Sequence, residues 1–220
     1  MNFSAVILAG GKSSRMGRDK AWLEIGGQAL LARQTGLARE LGAAEIFISG
    51  RADGDYSAFD GRILHDKFSD AGPLAGIERA LDAIKSPLLL VLAVDLPEMS
   101  AEFLRRLATR CAENSGGIPT SNGNLEPLAA FYPKAALPLL VKLFAATERR
   151  SPARPGPRPG KSKPAERQIG APSVKHFAEL CVQSGLARLV ELGANDARYF
   201  TNWNSPADLT PKTRKVCLTS

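Results

Sequence analysis

Apolar residues fall into short runs along the chain, and each run stops at a glycine or a polar loop. Residues 3–8 are mostly apolar and end at Gly10-Gly11, which predicts a buried strand followed by a tight loop. Residues 30–41 carry apolar side chains at helical spacing and stop at Gly42, which predicts a helix with a glycine cap. Residues 45–48 then predict a second strand.

The alternation of strands and helices continues towards the C-terminus. Predicted strands cover 62–64, 87–94, 127–132 and 189–192, and predicted helices cover 76–84, 101–112, 135–146 and 174–181. Residues 88–92 are apolar without alternation, as is typical of a central parallel strand covered on both faces. The pattern therefore predicts an α/β fold, a three-layer α/β/α Rossmann-like arrangement around a mostly parallel sheet.

The composition is that of an ordinary globular protein, with 44% hydrophobic and 23% charged residues. We expect one domain over residues 1–210 and a tail over 211–220. Cys111, Cys181 and Cys217 have no paired spacing, so we expect reduced thiols and neither a disulfide framework nor a zinc site. The sequence shows no signal peptide and no apolar run of the roughly 20 residues that span a bilayer, which predicts a cytoplasmic protein without a membrane partner.

The net charge of +7 raises the possibility of a nucleic-acid partner, and its distribution argues against one. Much of the excess charge lies in the stretch ERRSPARPGPRPGKSKPAER, which is rich in proline and has no aromatic residue. We therefore interpret residues 149–172 as a flexible basic insertion in the domain. A nucleic-acid-binding or scaffold protein is the alternative from another class, and it leaves the polar loops after the first and central strands without a purpose.

The first polar loop, LAGGKSSRMGRDK at residues 8–20, carries the clearest chemical signal. Its glycines let backbone N–H groups approach a phosphate, and Arg15 and Lys20 would offset the charge of a triphosphate. The spacing is neither that of a P-loop nor that of a dinucleotide-binding fingerprint. A flexible surface loop with solvated charges is the other interpretation.

A second candidate is Asp95, which follows the apolar strand at residues 88–94 and precedes Leu96-Pro97. A carboxylate at a strand's carboxyl end is well placed to hold Mg²⁺ against phosphate oxygens. The alternative is an aspartate that caps the next helix, but Ser100 is the better cap. With only two histidines in the chain, any metal would be held by oxygen ligands.

The loop LAGGKSSRMGRDKA resembles the signature of molybdenum cofactor guanylyltransferases, which are nucleotidyltransferases with the nucleotide-diphospho-sugar transferase type of fold. The resemblance implies that Arg15, Lys20 and Asp95 are catalytic and that Asp95 is the magnesium ligand. It implies the following nucleotide-binding residues: Leu8, Ala9, Gly10, Gly11, Lys20, Ser49, Asp66 and Asp95. Ser49 departs from the asparagine that the family often has there, so its contact would be weaker or made by the backbone.

Two further motifs match the same family. GPLAGI at residues 72–77 is typical of its guanylyl-transferring branch, and Asp66 matches a position that contacts the guanine nucleotide. FTNWNSPADL at residues 200–209 matches the closing motif, which implies that Asn202 and Asn204 line the pterin side of the cleft. The basic insertion interrupts a region where relatives carry an arginine-containing turn, and Arg149, Arg150 or Arg167 could each take that role.

The resemblance implies a magnesium-dependent transfer of GMP from GTP to the terminal phosphate of molybdopterin, with release of pyrophosphate. The alternatives are a related enzyme that uses CTP or a sugar phosphate acceptor. GTP and molybdopterin are then the partners, no nucleic acid is expected, and we expect a monomer. Transient contact with proteins that mature molybdoenzymes stays open.

Overall fold

The computed structural model describes residues 1–10, 19–51, 54–65, 72–121, 123–148, 172–193 and 195–201. Strands and helices alternate within these ranges, as predicted. The strands are β1 (Phe3–Leu8), β2 (Glu24–Ile25), β3 (Gln28–Ala29), β4 (Ile46–Ser49), β5 (Arg62–Leu64), β6 (Leu88–Ala93), β7 (Gly116–Ser121), β8 (Asn124–Leu125), β9 (Ala129–Pro133) and β10 (Ala187–Glu191). The helices are α1 (Leu30–Glu40), α2 (Pro73–Ala83), α3 (Ala101–Ala108), α4 (Leu137–Glu148) and α5 (Val174–Gln183). Short 3-10 turns cover Lys20–Trp22, Lys134–Ala136 and Ala197–Phe200.

The main sheet is mostly parallel, which confirms the predicted fold class. Its strand order is β5-β4-β1-β6-β9-β7-β10, and β8 pairs with β7. β4, β1 and β6 run in the same direction, β5 is parallel to β4, and β10 is parallel to β7. β9 is antiparallel to both of its neighbours.

The two central strands, β1 and β6, are buried on both faces. Leu88, Leu90 and Leu92 belong to the apolar cluster shared with α1 and α3, whereas Leu89 and Val91 belong to the cluster shared with α2, α4 and α5. All five side chains have no exposed surface. Each fully buried aliphatic side chain contributes about 1.5–3 kcal/mol to the stability of the fold, so β6 anchors the helix layers on both faces. The predicted three-layer arrangement is confirmed.

Strand β7 is the longest of the strands that the sequence pattern did not predict, and the short strands β2, β3 and β8 are the others. β7 contains two glycines and Pro119, which are signals of a loop in a sequence. A Cβ at Gly116 would lie 2.0 Å from the carbonyl oxygen of Phe131 on β9, so only glycine allows these two strands to approach. Gly117 of β7 pairs with Phe131 of β9, and Pro119 lies two residues beyond that pair.

Several predictions concern residues outside the described ranges. Almost all of the basic insertion (residues 149–171) and the whole tail (residues 211–220) fall there, so the predicted division of the chain stays a prediction. Within the described ranges, every helix is too short or too polar to cross a membrane.

Candidate active site

Three parallel strands end side by side at one edge of the sheet. The register pairs Leu8 at the end of β1 with Ser49 on β4 and with Ala93 on β6. The carbonyl oxygen of Ser49 accepts hydrogen bonds from the backbone N–H groups of Ala9 at 2.8 Å and Gly10 at 3.0 Å. The start of the glycine-rich loop is therefore fixed to β4 at the edge where such sheets bind ligands.

An ion pair between Lys20 and Asp95 lies at this edge. Nζ of Lys20 is 3.0 Å from Oδ2 of Asp95, and their side chains are only 17% and 23% exposed. Lys20 begins a 3-10 turn whose N-cap, Asp19, accepts a hydrogen bond from the N–H of Ala21 at 3.0 Å. Asp95 follows β6 by two residues. The structure thus brings together two of the three residues that the sequence analysis names as catalytic.

Helix α1 holds the backbone that follows Asp95. The side-chain amide of Gln34 donates a hydrogen bond to the carbonyl oxygen of Leu96 at 2.7 Å, and Nε of Arg33 donates to that of Pro97 at 2.8 Å. Gln34 is fully buried, so its hydrogen bond is shielded from competing water. These two consecutive side chains fix the position of the Asp95-Leu96-Pro97 turn.

The motif at residues 72–77 brings helix α2 close to the sheet. The helix begins at Pro73 after Gly72, whose φ of 60° favours glycine, so it starts three residues earlier than predicted. A Cβ at Gly76 would lie 2.2 Å from Oγ of Ser49 and 2.9 Å from Cδ2 of Leu8. The Ser49 side chain is therefore buried beneath α2. A contact between Ser49 and a nucleotide stays a prediction, and this burial favours the backbone as the contacting group.

A hairpin from β7 to β9 borders the same edge. The carbonyl oxygen of Leu128 accepts a hydrogen bond from the N–H of Ala93 at 2.8 Å, which ties the hairpin to the end of β6. Glu126 lies in this hairpin, and burial raises the pKa of its carboxyl group. The sequence of this segment predicts no catalytic role, but the structure brings it next to the Asp95 turn.

Tyr56 is a residue of this region that the sequence analysis missed. Its fully buried hydroxyl donates a hydrogen bond to Oδ2 of Asp19 at 2.7 Å and accepts one from the N–H of Arg51 at 3.0 Å. Burial, and then the hydrogen bond to Asp19, raise the pKa of Tyr56 to about 12. The sequence signal that could have indicated Tyr56 is the pair Gly50 and Gly54, because a side chain at either position would collide with the Tyr56 ring.

The remaining predicted site residues lie outside the described ranges. They are Gly11, Arg15, Asp66, Asn202 and Asn204, together with the alternatives Arg149, Arg150 and Arg167. Their predicted roles stay predictions.

The donor chemistry at this edge suits a magnesium ion that arrives with a nucleotide. Within the part of the chain that the structure describes, His, Cys, Asp and Glu side chains form no group of three that could hold a metal ion. Mg²⁺ commonly keeps several waters and takes only one or two protein carboxylates, with substrate phosphates completing its ligands. The partly exposed carboxylate of Asp95 meets that requirement.

Comparisons with known proteins identify the family to which this chain is similar. Residues 5–155 match the family model described as MobA-like NTP transferase domain. A protein of Opitutus terrae named "probable molybdenum cofactor guanylyltransferase" is 35% identical over 215 residues, which are 96% of this chain and 95% of that protein. The molybdenum cofactor guanylyltransferase of Pseudomonas putida is 35% identical over 151 residues, which are 66% of this chain and 78% of that protein.

Two solved structures have the same fold. Molybdopterin-guanine dinucleotide biosynthesis protein A from Archaeoglobus fulgidus aligns with a TM-score of 0.64 at 19% identity, over 94% of each chain. A nucleotidyl transferase from Methanothermobacter aligns with a TM-score of 0.68 at 17% identity, also over 94% of each chain. At these identities the likeness concerns the fold alone.

Proposed function

Because the chain belongs to the family of MobA-like NTP transferase domains, we propose that it transfers GMP from GTP to the terminal phosphate of molybdopterin. The products are pyrophosphate and the guanine dinucleotide form of the molybdenum cofactor. The observation that carries the proposal is the Lys20–Asp95 pair, which lies where the central strands end in a chain of this family.

The reaction needs alignment and charge stabilisation more than proton transfer. An oxygen of the acceptor phosphate attacks the α-phosphorus of GTP, a new P–O bond forms, and the bond from the α-phosphorus to the bridging oxygen breaks. Pyrophosphate leaves with that oxygen. Since the attacking oxygen is already an anion, the step needs no general base, which fits a site edge built around a lysine and an aspartate.

Lys20 would place its positive charge next to the phosphates of the bound nucleotide, together with Arg15 from the same loop. Asp95 would hold Mg²⁺, which when bound supplies charge neutralisation at the phosphate oxygens. The turn that carries Asp95 is held by Gln34 and Arg33, so the carboxylate is oriented before substrate arrives.

Cys111 and Cys181 are free thiols, which supports our proposal that the protein works in the cytoplasm.

Nucleotide selectivity tests the proposal directly. The melting temperature is measured with GTP, CTP, ATP or UTP in Mg²⁺, since a ligand that binds the native state raises stability. Selective stabilisation by GTP is expected, followed by pyrophosphate release with molybdopterin. Selective stabilisation by CTP would instead favour the cytidylyl-transferring branch, and no response to any nucleotide would contradict the enzyme proposal.

An Asp95→Asn variant tests the role of the carboxylate. We expect kcat to fall by at least about 100-fold at an unchanged fold, because the amide cannot hold Mg²⁺ as a carboxylate does. Asp60→Asn is the matched control, since Asp60 is a surface residue paired with Arg39 near the start of β5. Near wild-type activity of Asp95→Asn in Mg²⁺ would exclude the proposed role.

A further inference from the structure

The buried hydroxyl of Tyr56 connects two segments that are far apart in sequence. It donates to Asp19, 37 positions earlier, and accepts the N–H of Arg51, which belongs to the loop after β4. The Tyr56 hydroxyl therefore forms one hydrogen bond with the loop after β1, at Asp19, and one with the loop after β4, at Arg51. A buried hydrogen bond to a carboxylate is among the stronger ones in proteins.

The Tyr56 ring is held firmly in place. A Cβ at Gly50 would lie 2.1 Å from the ring and one at Gly54 would lie 2.6 Å from it, so the loop after β4 is folded directly over the aromatic face. The N–H of Gly54 donates to the carbonyl oxygen of Arg51 at 3.1 Å, which closes this turn. The ring has no exposed surface, so its hydroxyl has little freedom to choose other partners.

Asp19 links the position of Tyr56 to the Lys20–Asp95 pair. Its second carboxylate oxygen, Oδ1, accepts the N–H of Ala21 and so caps the 3-10 turn that begins at Lys20. The position of Lys20 relative to Asp95 therefore depends on the orientation of the Asp19 carboxylate, and that orientation is set by Tyr56. With a pKa of about 12, Tyr56 stays protonated and remains a donor to Asp19 at neutral pH.

We propose that Tyr56 is a positioning residue that locks the loops after β1 and β4 together, so that Lys20 is presented to the phosphates of the nucleotide. The proposal rests on the proposed function for its catalytic consequence. Tyr56 does not itself contact the reacting atoms.

The test removes the hydroxyl with Tyr56→Phe, which keeps the buried ring. We expect kcat/KM for GTP to fall by about tenfold, because a misplaced lysine loses alignment with the phosphates. Ser86→Ala is the control: it removes another buried hydroxyl, one that bonds Ser4 at 2.8 Å and Leu88 at the opposite edge of the sheet. Ser86→Ala should lower stability comparably and leave kcat/KM for GTP unchanged.

A second measurement needs no substrate. Hydrogen exchange at the amides of Ala21 and Arg51 should become faster in Tyr56→Phe, whereas Ser86→Ala should leave both protected to the wild-type extent. Asp19→Ala should make exchange at the Ala21 amide faster, because that N–H loses its acceptor, and the double variant Tyr56→Phe/Asp19→Ala should be no worse there than the more severe single variant.

Equal behaviour of Tyr56→Phe and Ser86→Ala in both kinetics and exchange would overturn the positioning role. The hydrogen-exchange measurement tests the positioning role of Tyr56 even if the wild-type protein fails to bind GTP. In that event the proposed function fails by itself, and the two failures remain distinguishable.

Discussion

The Lys20 ammonium lies 3.0 Å from the Asp95 carboxylate although 75 positions separate them in sequence. Each follows one of two neighbouring parallel strands, Lys20 after β1 and Asp95 after β6, so the sheet itself brings them together. Under the proposed function, a bound triphosphate would offer Lys20 a partner of opposite charge, and its metal would offer one to Asp95.

Replacing Lys20 by methionine tests this arrangement, because the length of the side chain is kept and the charge is lost. We expect kcat/KM for GTP to fall by at least about 100-fold, as is common when a charge that stabilises the transition state is removed. The measurement is pyrophosphate release under steady-state conditions. Lys20→Arg keeps the charge and should recover part of the activity. Full activity of Lys20→Met would show that this lysine does not act on the phosphates.

Replacing Gln34 by leucine should loosen the turn that carries Asp95. The carbonyl oxygen of Leu96 loses its buried donor, which is expected to cost about 1–3 kcal/mol of unfolding free energy. Denaturant unfolding measures that cost, and kcat should fall with it because the Asp95 turn then keeps only the hydrogen bond from Arg33. Gln28→Leu is the control, since Gln28 is an exposed strand residue and its replacement should change stability by less than about 0.5 kcal/mol. Equal effects of the two variants would contradict the structural role of Gln34.

Replacing Gly76 by alanine should force α2 away from the sheet. The new methyl group would meet Ser49 at 2.2 Å, and overpacking of this kind typically costs about 1–3 kcal/mol. Gly36→Ala makes the same change in helix α1, where a Cβ would meet nothing within 4 Å. That variant should be neutral or more stable by up to about 1 kcal/mol. Thermal unfolding of both proteins compares them, and a harmless Gly76→Ala would mean that α2 can shift freely.

Replacing Glu126 by glutamine should change the pH dependence of stability. Burial raises the pKa of Glu126 in the folded protein, so between the unfolded and folded pKa values the native state binds more protons. The stability contributed by this carboxyl is therefore present at low pH and is lost as pH rises through the folded pKa. Relative to wild type, Glu126→Gln should gain melting temperature at neutral pH and lose that advantage near pH 4.

Glu113→Gln, at an exposed glutamate, controls for the change in net charge. A difference in melting temperature between Glu126→Gln and wild type that is constant from pH 4 to pH 8 would contradict the effect of burial.

The sequence predicted the central part of the fold because its signals there are local. An unbroken apolar run specifies β6 without knowledge of its neighbours, and polar residues directly after such strands predict the edge where Lys20 and Asp95 meet. β7 escaped prediction because Pro119 and the glycines are acceptable there only through its particular partners, above all the close approach of Gly116 to Phe131.

The residues that hold the Lys20–Asp95 pair in place could not be predicted in the same way. Gln34 reaches a carbonyl 62 positions later, and Tyr56 reaches a carboxylate 37 positions earlier. Neither contact leaves a periodic pattern in the sequence, because each depends on how α1 and the loop after β4 pack on the finished sheet. A glutamine within a helix and a tyrosine within a loop are otherwise ordinary.

Because β9 runs against both neighbours, β7 reaches the site edge, the chain turns there in a hairpin, and β9 leaves without an additional crossover helix. Paired residues hold both stems of this hairpin: Thr120 with Leu125 on one side, and Leu92 with Ala129 on the other. A loop closed in this way tolerates inserted residues, since doubling its length costs only about 0.6 kcal/mol. Insertions at the tip of this hairpin are therefore expected to leave β1, β6 and the Lys20–Asp95 pair in their positions.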